Sequence, residues 1–228
     1  MIGNIKTESS YMSNRYRAQG PEAEFEPGSG GRVLRNLLDI RSVRKMAEFE
    51  SGALYNATEQ AIDEAQLEQR FRANDIRHIH RLWLGDIYPW AGEYREVNIS
   101  KGGFMFAAAH LIPDLMEEFE QGALRCFTPC RYTLVEEQAY ALAIVHAELV
   151  LIHPFREGNG RCARLLAMLM GLQAGLPALN FGGISGEEKR RYIGAIHAAM
   201  GRDYTPMTTI FKNVITRTLR FQARLTRD

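Results

Sequence analysis

The chain has few cysteines, no long apolar segment and almost no net charge. Three cysteines, Cys126, Cys130 and Cys162, do not make a disulfide framework. Cys126 and Cys130 are spaced like metal ligands, but no second pair follows them, so we expect no zinc site. No run of about 18 apolar residues occurs, so we expect no membrane-spanning helix. A net charge of +1 gives no overall attraction to nucleic acid or an anionic membrane, and neither is an expected partner.

The composition is typical of a globular protein. With 46% hydrophobic and 24% charged residues, the 228-residue chain can bury a core, and its length fits one domain with a small extension. Residues 1–31 are polar and interrupted by glycines and prolines, which predicts a loosely ordered extension. The first residues lack the apolar centre of a signal peptide, so the expected location is cytoplasmic.

Helical periodicity dominates from residue 32 onwards. Residues 133–152 are apolar on nearly all sides, which predicts a central buried helix, and a second apolar helix follows the glycines near residue 160. Only residues 97–106 alternate as strands do, around the turn dipeptide Gly102-Gly103. We therefore predict an all-α fold with one small β-hairpin.

The stretch HPFREGNGR, residues 153–161, lies between the two apolar helices. Pro154 disfavours helical geometry at the preceding residue, so the buried helix should end near His153. The next helix should begin just after the glycines of this stretch, Gly158 and Gly160, which let the main chain approach a ligand closely. Because the amides at a helix N-terminus favour phosphate, the loop is predicted to bind an anion.

The side chains of this loop suit the transfer of a phosphorus group. Arg161 and Arg164 are three residues apart and can clamp a polyphosphate from one helix face. Glu157 suits Mg²⁺, which often takes one carboxylate together with phosphate oxygens, and Asn159 adds a neutral donor. His153 can accept a proton from an incoming hydroxyl. Each residue alone is explained by a turn or a surface ion pair, but together they predict a phosphoryl- or nucleotidyl-transfer site.

The same residues resemble a known family. HPFREGNGRCAR, residues 153–164, matches every fixed position of the Fic-domain signature. GDIYPWAGEYREVNISKGGFMFA, residues 85–107, resembles the segment that leads into the family's flap hairpin, and RVLRNLLDIR, residues 32–41, resembles its N-terminal helix opening. The resemblance covers residues 32–212 as a Fic domain and leaves residues 213–228 as a helical tail. It implies a mostly helical enzyme that moves AMP from ATP onto a hydroxyl side chain of a target protein and releases pyrophosphate.

The resemblance also implies roles for individual residues. His153 would be the general base that deprotonates a Tyr, Thr or Ser of the target, and Phe155 would be a buried anchor for the loop. Arg164 would orient the γ-phosphate, and Tyr192 would lie near the adenine. The remaining nucleotide contacts would come from Glu157, which also holds Mg²⁺, and from Gly158, Asn159, Gly160 and Arg161.

The hairpin corresponds to the family's flap, whose exposed edge would pair with an extended segment of the target. The implied flap residues are Val97, Asn98, Ile99, Ser100, Lys101, Gly102 and Gly103. Many relatives carry an inhibitory helix with the motif [S/T]xxxE[G/N], but here the only glutamate followed by Gly or Asn is Glu157. The chain therefore resembles the toxin class that is inhibited by a separate small antitoxin, whose glutamate would contact Arg164. Some members of this class modify type II DNA topoisomerases, a target extended to this chain by class analogy alone.

Other functions remain open from the sequence. A Fic-fold transferase could move phosphate, UMP or phosphocholine instead of AMP. The presence of Gly160, Arg161 and Arg164 together favours ATP bound for AMP transfer. Removal of AMP from proteins usually depends on an internal inhibitory glutamate, and a binding module without activity would predict a decayed motif. Neither pattern is found.

Overall fold

The computed structural model describes residues 17–18, 21–182 and 185–225, and it confirms an all-α fold with a small β-sheet. Among these residues, no helix has the length and apolar character needed to cross a bilayer. Short 3₁₀ turns lie at Pro21–Ala23 and Ala109–Leu111, and a π-helical turn at Glu120–Leu124. The α-helices are α1 Val43–Glu64, α2 Ala73–Leu84, α3 Ile112–Phe119, α4 Arg125–Phe127, α5 Val135–Ile152, α6 Asn159–Gln173, α7 Gly186–Ala199 and α8 Thr205–Leu225.

Helix α5 is the centre of the main core, as its all-round apolar pattern predicts. It packs chiefly against α8 and α6, with further contacts to α3 and α7. Leu142 and Val145 of α5 and Leu166 of α6 have no exposed surface. Burying an aliphatic side chain of this size contributes about 1.5–3 kcal/mol to the stability of the fold. The packed α5–α6 pair therefore supports the loop that joins the two helices.

A second, smaller core joins α1 to α2. Trp83 and Leu84 at the end of α2 pack with Ile87, Tyr88 and Met46 in this cluster. The indole N–H of Trp83 also donates to the carbonyl of Glu50 in α1 over 2.9 Å. These contacts hold α1 and α2 beside the N-terminal end of α6, which both helices touch.

The sheet is antiparallel, with the strand order β1 Arg17–Ala18, β2 Ile99–Lys101 and β3 Phe104–Met105. β2 and β3 form the predicted hairpin, and the turn residues Gly102 and Gly103 have φ values of 57° and 83°, a conformation that glycine adopts without strain. β1 was not predicted from the sequence. It pairs with β2 at Arg17↔Ser100 and Ala18↔Ile99, so β2 is the central strand.

The described parts of the predicted N-terminal extension and C-terminal tail are continuous with the predicted domain. In the segment 21–31, the carbonyl of Glu22 accepts a hydrogen bond from Nε of Arg156 over 2.9 Å, beside the predicted catalytic loop. At the other end, α8 is one unbroken helix across the predicted boundary at residues 212 and 213. Residues 1–16, 19 and 20 of the predicted extension and 226–228 of the predicted tail lie outside the described residues.

The three cysteines differ in exposure. All three are free, and Cys130 and Cys162 are buried. Burial raises the pKa of Cys130 to about 11 and that of Cys162 to about 12, so both remain thiols at neutral pH.

Candidate active site

His153 ends the central helix, as the proline after it predicts. Helix α5 stops at Ile152, and His153 takes a left-handed conformation with φ 54°. This conformation is uncommon for a residue with a side chain. It turns the chain sharply out of the helix and into the loop that carries Glu157.

The ring of His153 is held in one orientation and one tautomer. Its Nδ1 lies 3.0 Å from the carbonyl oxygen of Val150, and since a carbonyl only accepts, Nδ1 carries the proton. In the neutral ring Nε2 is then the basic nitrogen. Phe106 stacks on the imidazole with 3.7 Å between ring centroids. Burial, together with the positive charges of Arg95 and Lys101, lowers the pKa of His153 to about 3.

Asn159 closes the loop on itself. Its Oδ1 accepts a hydrogen bond from the amide of Phe155 over 2.8 Å, and its Nδ2 donates to the carbonyl of Phe155 over 2.7 Å. Phe155 has no exposed surface. The side chain of Asn159, predicted to contact phosphate, therefore binds the backbone of the loop, and its own backbone amide begins α6.

Gly158 makes the turn from the loop into α6. It is the N-cap residue with φ 84°, so the predicted order of loop and helix N-terminus is confirmed. A Cβ at this position would lie 2.5 Å from Cζ3 of Trp83, too close for any residue but glycine. Gly160 lies within the first turn of α6, and a Cβ there would meet only Nη1 of Arg164, at 3.7 Å.

Arg161 is held by two carboxylates and an indole ring. Its Nη1 donates to Glu50 over 2.8 Å, and its Nη2 donates to Glu157 over 3.4 Å. Its guanidinium carbon lies 4.4 Å from the ring centroid of Trp83. The sequence analysis did not identify Glu50 as part of the site, because nothing in α1 shows which residue lies beside α6.

Arg161 and Arg164 lie together, as their spacing predicts. Both line a cavity of about 180 Å³ between α1 and α6, with Leu54 and Thr58 on the α1 side and Phe181 near the end of the described segment. Burial lowers the pKa of Arg164, an effect that the nearby Tyr192 opposes. The arginine nevertheless remains charged at neutral pH.

Tyr192 is tied to the central helix. Its hydroxyl lies 2.8 Å from Nε2 of His146 in α5, and burial raises its pKa to about 12, against the charge of Arg164. His146 is a hydrogen-bonded core histidine, and burial lowers its pKa to about 3. The position of Tyr192 near an adenine remains a prediction.

Arg95 connects the loop to the flap, a role that the sequence analysis did not find. Its Nε donates to the carbonyl of His153 over 2.8 Å. Its Nη1 and Nη2 donate to the carbonyls of Val97 and Ala107, each over 2.6 Å, at the two ends of the hairpin segment. Burial lowers its pKa to about 10. One guanidinium therefore fixes the hairpin relative to the histidine.

His78 and His80 point in different directions along α2, and their surroundings differ. His78 is exposed and pairs with Glu64 over 2.8 Å. His80 is completely buried. Its ring stacks on Phe155 with 3.9 Å between centroids, below the loop.

The single carboxylate of the loop suits a magnesium ion only together with a substrate. Among the described residues, no three His, Cys, Asp or Glu side chains form a cluster that would hold a metal ion. Glu157 offers one carboxylate, whose Oε1 now accepts from the amide of Gly158 over 3.0 Å. One carboxylate plus phosphate oxygens is a usual donor set for Mg²⁺, so the residues present fit a nucleotide-bound ion.

The chain is similar in sequence to a known family and to proteins named as protein adenylyltransferases. Residues 70–170 match the model of the Fic/DOC family. The probable protein adenylyltransferase Fic of Escherichia coli (strain K12) is 30% identical over 211 residues, which cover 90% of this chain and 96% of that protein. The protein adenylyltransferase VbhT of Bartonella schoenbuchensis is 29% identical over 150 residues, which cover 66% of this chain but 30% of that protein.

Solved structures share the fold. The BepC protein of Bartonella tribocorum, whose crystal structure contains bound AMPPNP, superposes with a TM-score of 0.66 at 24% identity, covering 79% of this chain and 91% of that one. The N-terminal Fic domain of a Bartonella quintana effector gives a TM-score of 0.67 at 24% identity, covering 85% and 93%.

Proposed function

The chain belongs to the Fic/DOC family, and from that premise we propose that His153 activates a hydroxyl of a target protein for attack on the α-phosphate of ATP. The enzyme is a nucleotidyltransferase of the protein adenylyltransferase type. The acceptor would be a Tyr, Thr or Ser side chain, and pyrophosphate would be released.

The observation that carries the proposal is the junction of α5 and α6. A histidine with its basic nitrogen at Nε2 ends one helix, and the next helix begins six residues later and carries two arginines that line a single cavity. A helix N-terminus with paired guanidiniums suits a polyphosphate, and the neighbouring imidazole suits an incoming alcohol.

Nε2 of His153 takes the proton of the target hydroxyl while the hydroxyl oxygen bonds to the α-phosphorus. The bond from that phosphorus to the oxygen bridging to the β-phosphate breaks, and pyrophosphate leaves with the electron pair. Arg161 and Arg164 stabilise the charge that develops on the leaving group. The proton then passes from His153 to solvent, which restores the base.

Glu157 would hold Mg²⁺ in this proposal. The ion, when bound, would neutralise charge on the phosphates. The carboxylate would then exchange its contacts with Gly158 and Arg161 for the ion, which leaves the amide of Gly158 and one side of Arg161 for phosphate oxygens.

The flap would position the target. An extended target segment that joins this sheet either pairs with β3 or displaces Arg17–Ala18 from β2. In this proposal, Phe106, which stacks on one face of the His153 ring, moves aside as the target binds. That movement would expose the ring to water and raise its pKa towards the ordinary range, where a general base works best.

We further propose that the enzyme is a toxin inhibited by a separate antitoxin. The sequence contains no [S/T]xxxE[G/N] motif. Its only glutamate followed by Gly or Asn is Glu157 of the active-site loop, and the residue four positions earlier is His153. The cavity between α1 and α6 places Arg164 beside Leu54 and Thr58, which suits a partner helix that inserts a glutamate. A type II topoisomerase is the target that class analogy suggests.

Incubation with Mg²⁺ and either α- or γ-labelled ATP tests the reaction. Wild-type protein should transfer the α-label to itself or to a protein in a lysate, and His153→Ala should abolish transfer. His110→Ala, which changes an exposed histidine, is the matched control and should retain activity. Transfer of the γ-label would replace this proposal with phosphorylation, and transfer from UTP or CDP-choline would replace it with the other Fic-fold chemistries.

A further inference from the structure

His80 of α2 is a buried histidine that the proposed mechanism does not use. It has no exposed surface and lies directly under the loop that carries Glu157. Its ring is nearly parallel to that of Phe155, at an interplanar angle of 12°, and meets Trp83 edge-on at 6.2 Å. These contacts fix the plane of the imidazole, and thereby the directions of both ring nitrogens.

The two hydrogen bonds of His80 determine its tautomer. The amide of Gly92 donates to Nδ1 over 2.8 Å, so Nδ1 carries no proton. Nε2 lies 3.0 Å from the carbonyl oxygen of Glu157, which only accepts, so Nε2 must carry the proton and donate. A neutral ring satisfies both bonds, whereas a protonated ring would point a second proton at the amide of Gly92. Burial, supported by the charge of Arg161, lowers the pKa of His80 to about 4, which keeps the ring neutral at physiological pH.

The bond from His80 to the carbonyl of Glu157 orients the following amide. The peptide joining Glu157 to Gly158 is trans, so its C=O and N–H point in opposite directions. With the carbonyl directed at His80, the amide of Gly158 points to the opposite side of the loop. There it donates to Oε1 of Glu157, the carboxylate oxygen that also accepts from Arg161. This is the side on which phosphate would bind.

We propose that His80 is a positioning residue for nucleotidyl transfer: its Nε2–H fixes the Glu157–Gly158 peptide so that the Gly158 amide faces the phosphates. His80 touches neither ATP nor the acceptor and acts only through the loop. The inference rests on the proposed function, because it assigns the amide a role in phosphate binding. It predicts that one of the two hydrogen bonds of His80, the one to Glu157, controls the reaction rate.

Two variants separate these hydrogen bonds. His80→Gln places an amide N–H near the position of Nε2 and can still donate to Glu157. His80→Asn places a carbonyl oxygen near Nδ1, so it can still accept from Gly92 but leaves the carbonyl of Glu157 without this donor. We expect His80→Asn to lower kcat roughly 10²-fold, the usual effect of losing one oriented donor to a developing charge. We expect His80→Gln to recover most of that loss. His78→Asn, on the exposed side of the same helix, should match the wild type.

The assay measures kcat and KM for ATP with α-label, beside thermal unfolding of each variant. A kcat for His80→Gln as low as that for His80→Asn, or two variants as active as the wild type, would overturn the proposal. The wild-type protein gives a second test that does not depend on the variants folding. Its ¹⁵N spectrum should show His80 protonated at Nε2 and unprotonated at Nδ1 at neutral pH, and the opposite tautomer would also overturn the proposal.

The label that the wild-type protein transfers distinguishes failure of the proposed function from failure of the positioning role of His80. If the wild type transfers γ-label or another group, adenylyl transfer is wrong. The contrast between His80→Gln and His80→Asn then tests the positioning role on the reaction actually observed.

Discussion

Nη1 of Arg161 donates to Oε2 of Glu50 over 2.8 Å, a contact between residues 111 positions apart in the chain. The other oxygen of Glu50 accepts a hydrogen bond from the hydroxyl of Tyr88 over 2.8 Å. Glu50 is buried, so its charge requires the arginine as a partner. Helix α1 thus sets the direction of a guanidinium that is proposed to bind phosphate.

Replacing Glu50 with glutamine should weaken both folding and ATP binding. The substitution keeps the shape of the side chain but removes the charge that holds Arg161, which leaves Glu157 as its remaining carboxylate partner. We expect the free energy of unfolding to fall by about 1–3 kcal/mol and KM for ATP to rise. Urea unfolding and steady-state kinetics measure the two effects.

Glu48→Gln is the matched control for that experiment. Glu48 lies on the same helix and pairs with Arg44, but both side chains are exposed, so its loss should change stability by less than about 1 kcal/mol. If the Glu50 variant behaved like this control, Glu50 would have no part in positioning Arg161.

The buried histidines should make folding stability depend on pH below neutrality. His80, His146 and His153 have pKa values lowered to about 4, 3 and 3, mainly by burial. In the unfolded chain their pKa values are about 6.5, so below that pH the unfolded state binds more protons than the folded state does. Their contribution to stability is full above pH 6.5 and is lost as the pH falls towards the folded-state values. Each should add a slope of up to about 1.4 kcal/mol per pH unit.

Urea unfolding between pH 7.5 and 4.5 measures this slope. His146→Gln should reduce the slope by one histidine's share, whereas His110→Gln, at an exposed position, should leave it unchanged. A His146→Gln protein with the wild-type slope would contradict the assignment of a buried neutral imidazole.

Arg95→Lys should make the flap hairpin less rigidly held. A lysine cannot donate simultaneously to the carbonyls of His153, Val97 and Ala107, as Arg95 does. We expect a loss of about 2–4 kcal/mol in stability, because buried carbonyls are left without donors. Hydrogen exchange in β2 and β3 should become faster, and kcat should fall. Arg35→Lys, at an exposed position, should change neither, and unaltered exchange in the hairpin of Arg95→Lys would show that Arg95 does not hold it.

Alanine should be tolerated at Gly160 but not at Gly158. At Gly158 it would adopt a left-handed φ and place its Cβ against Trp83, which should cost more than about 2 kcal/mol. At Gly160, inside the first turn of α6, it meets no close atom, and stability should stay within about 1 kcal/mol of wild type. Thermal unfolding of the two proteins compares them directly. Equal melting temperatures would mean that the loop can move away from Trp83.

The sequence predicted those elements of the site that depend on residues close together in the chain. Pro154 predicted that α5 ends near His153, and it ends at Ile152; the glycines predicted the loop before α6. The pair Gly102-Gly103 predicted the turn of the hairpin. Strand β1 escaped prediction because two residues carry no periodicity, and their pairing depends on β2 being nearby.

By itself the sequence determined the order of helices, the chemistry of the loop and the place where a base follows a buried helix. Those features depend on neighbours a few residues away, through backbone sterics and the period of apolar side chains. Only the tertiary structure decided that Glu50, Arg95 and His80 support the loop, across 111, 58 and 77 residues of chain. The reason is that a buried charge or carbonyl must find its partner within about 3 Å, and only packing brings such partners together.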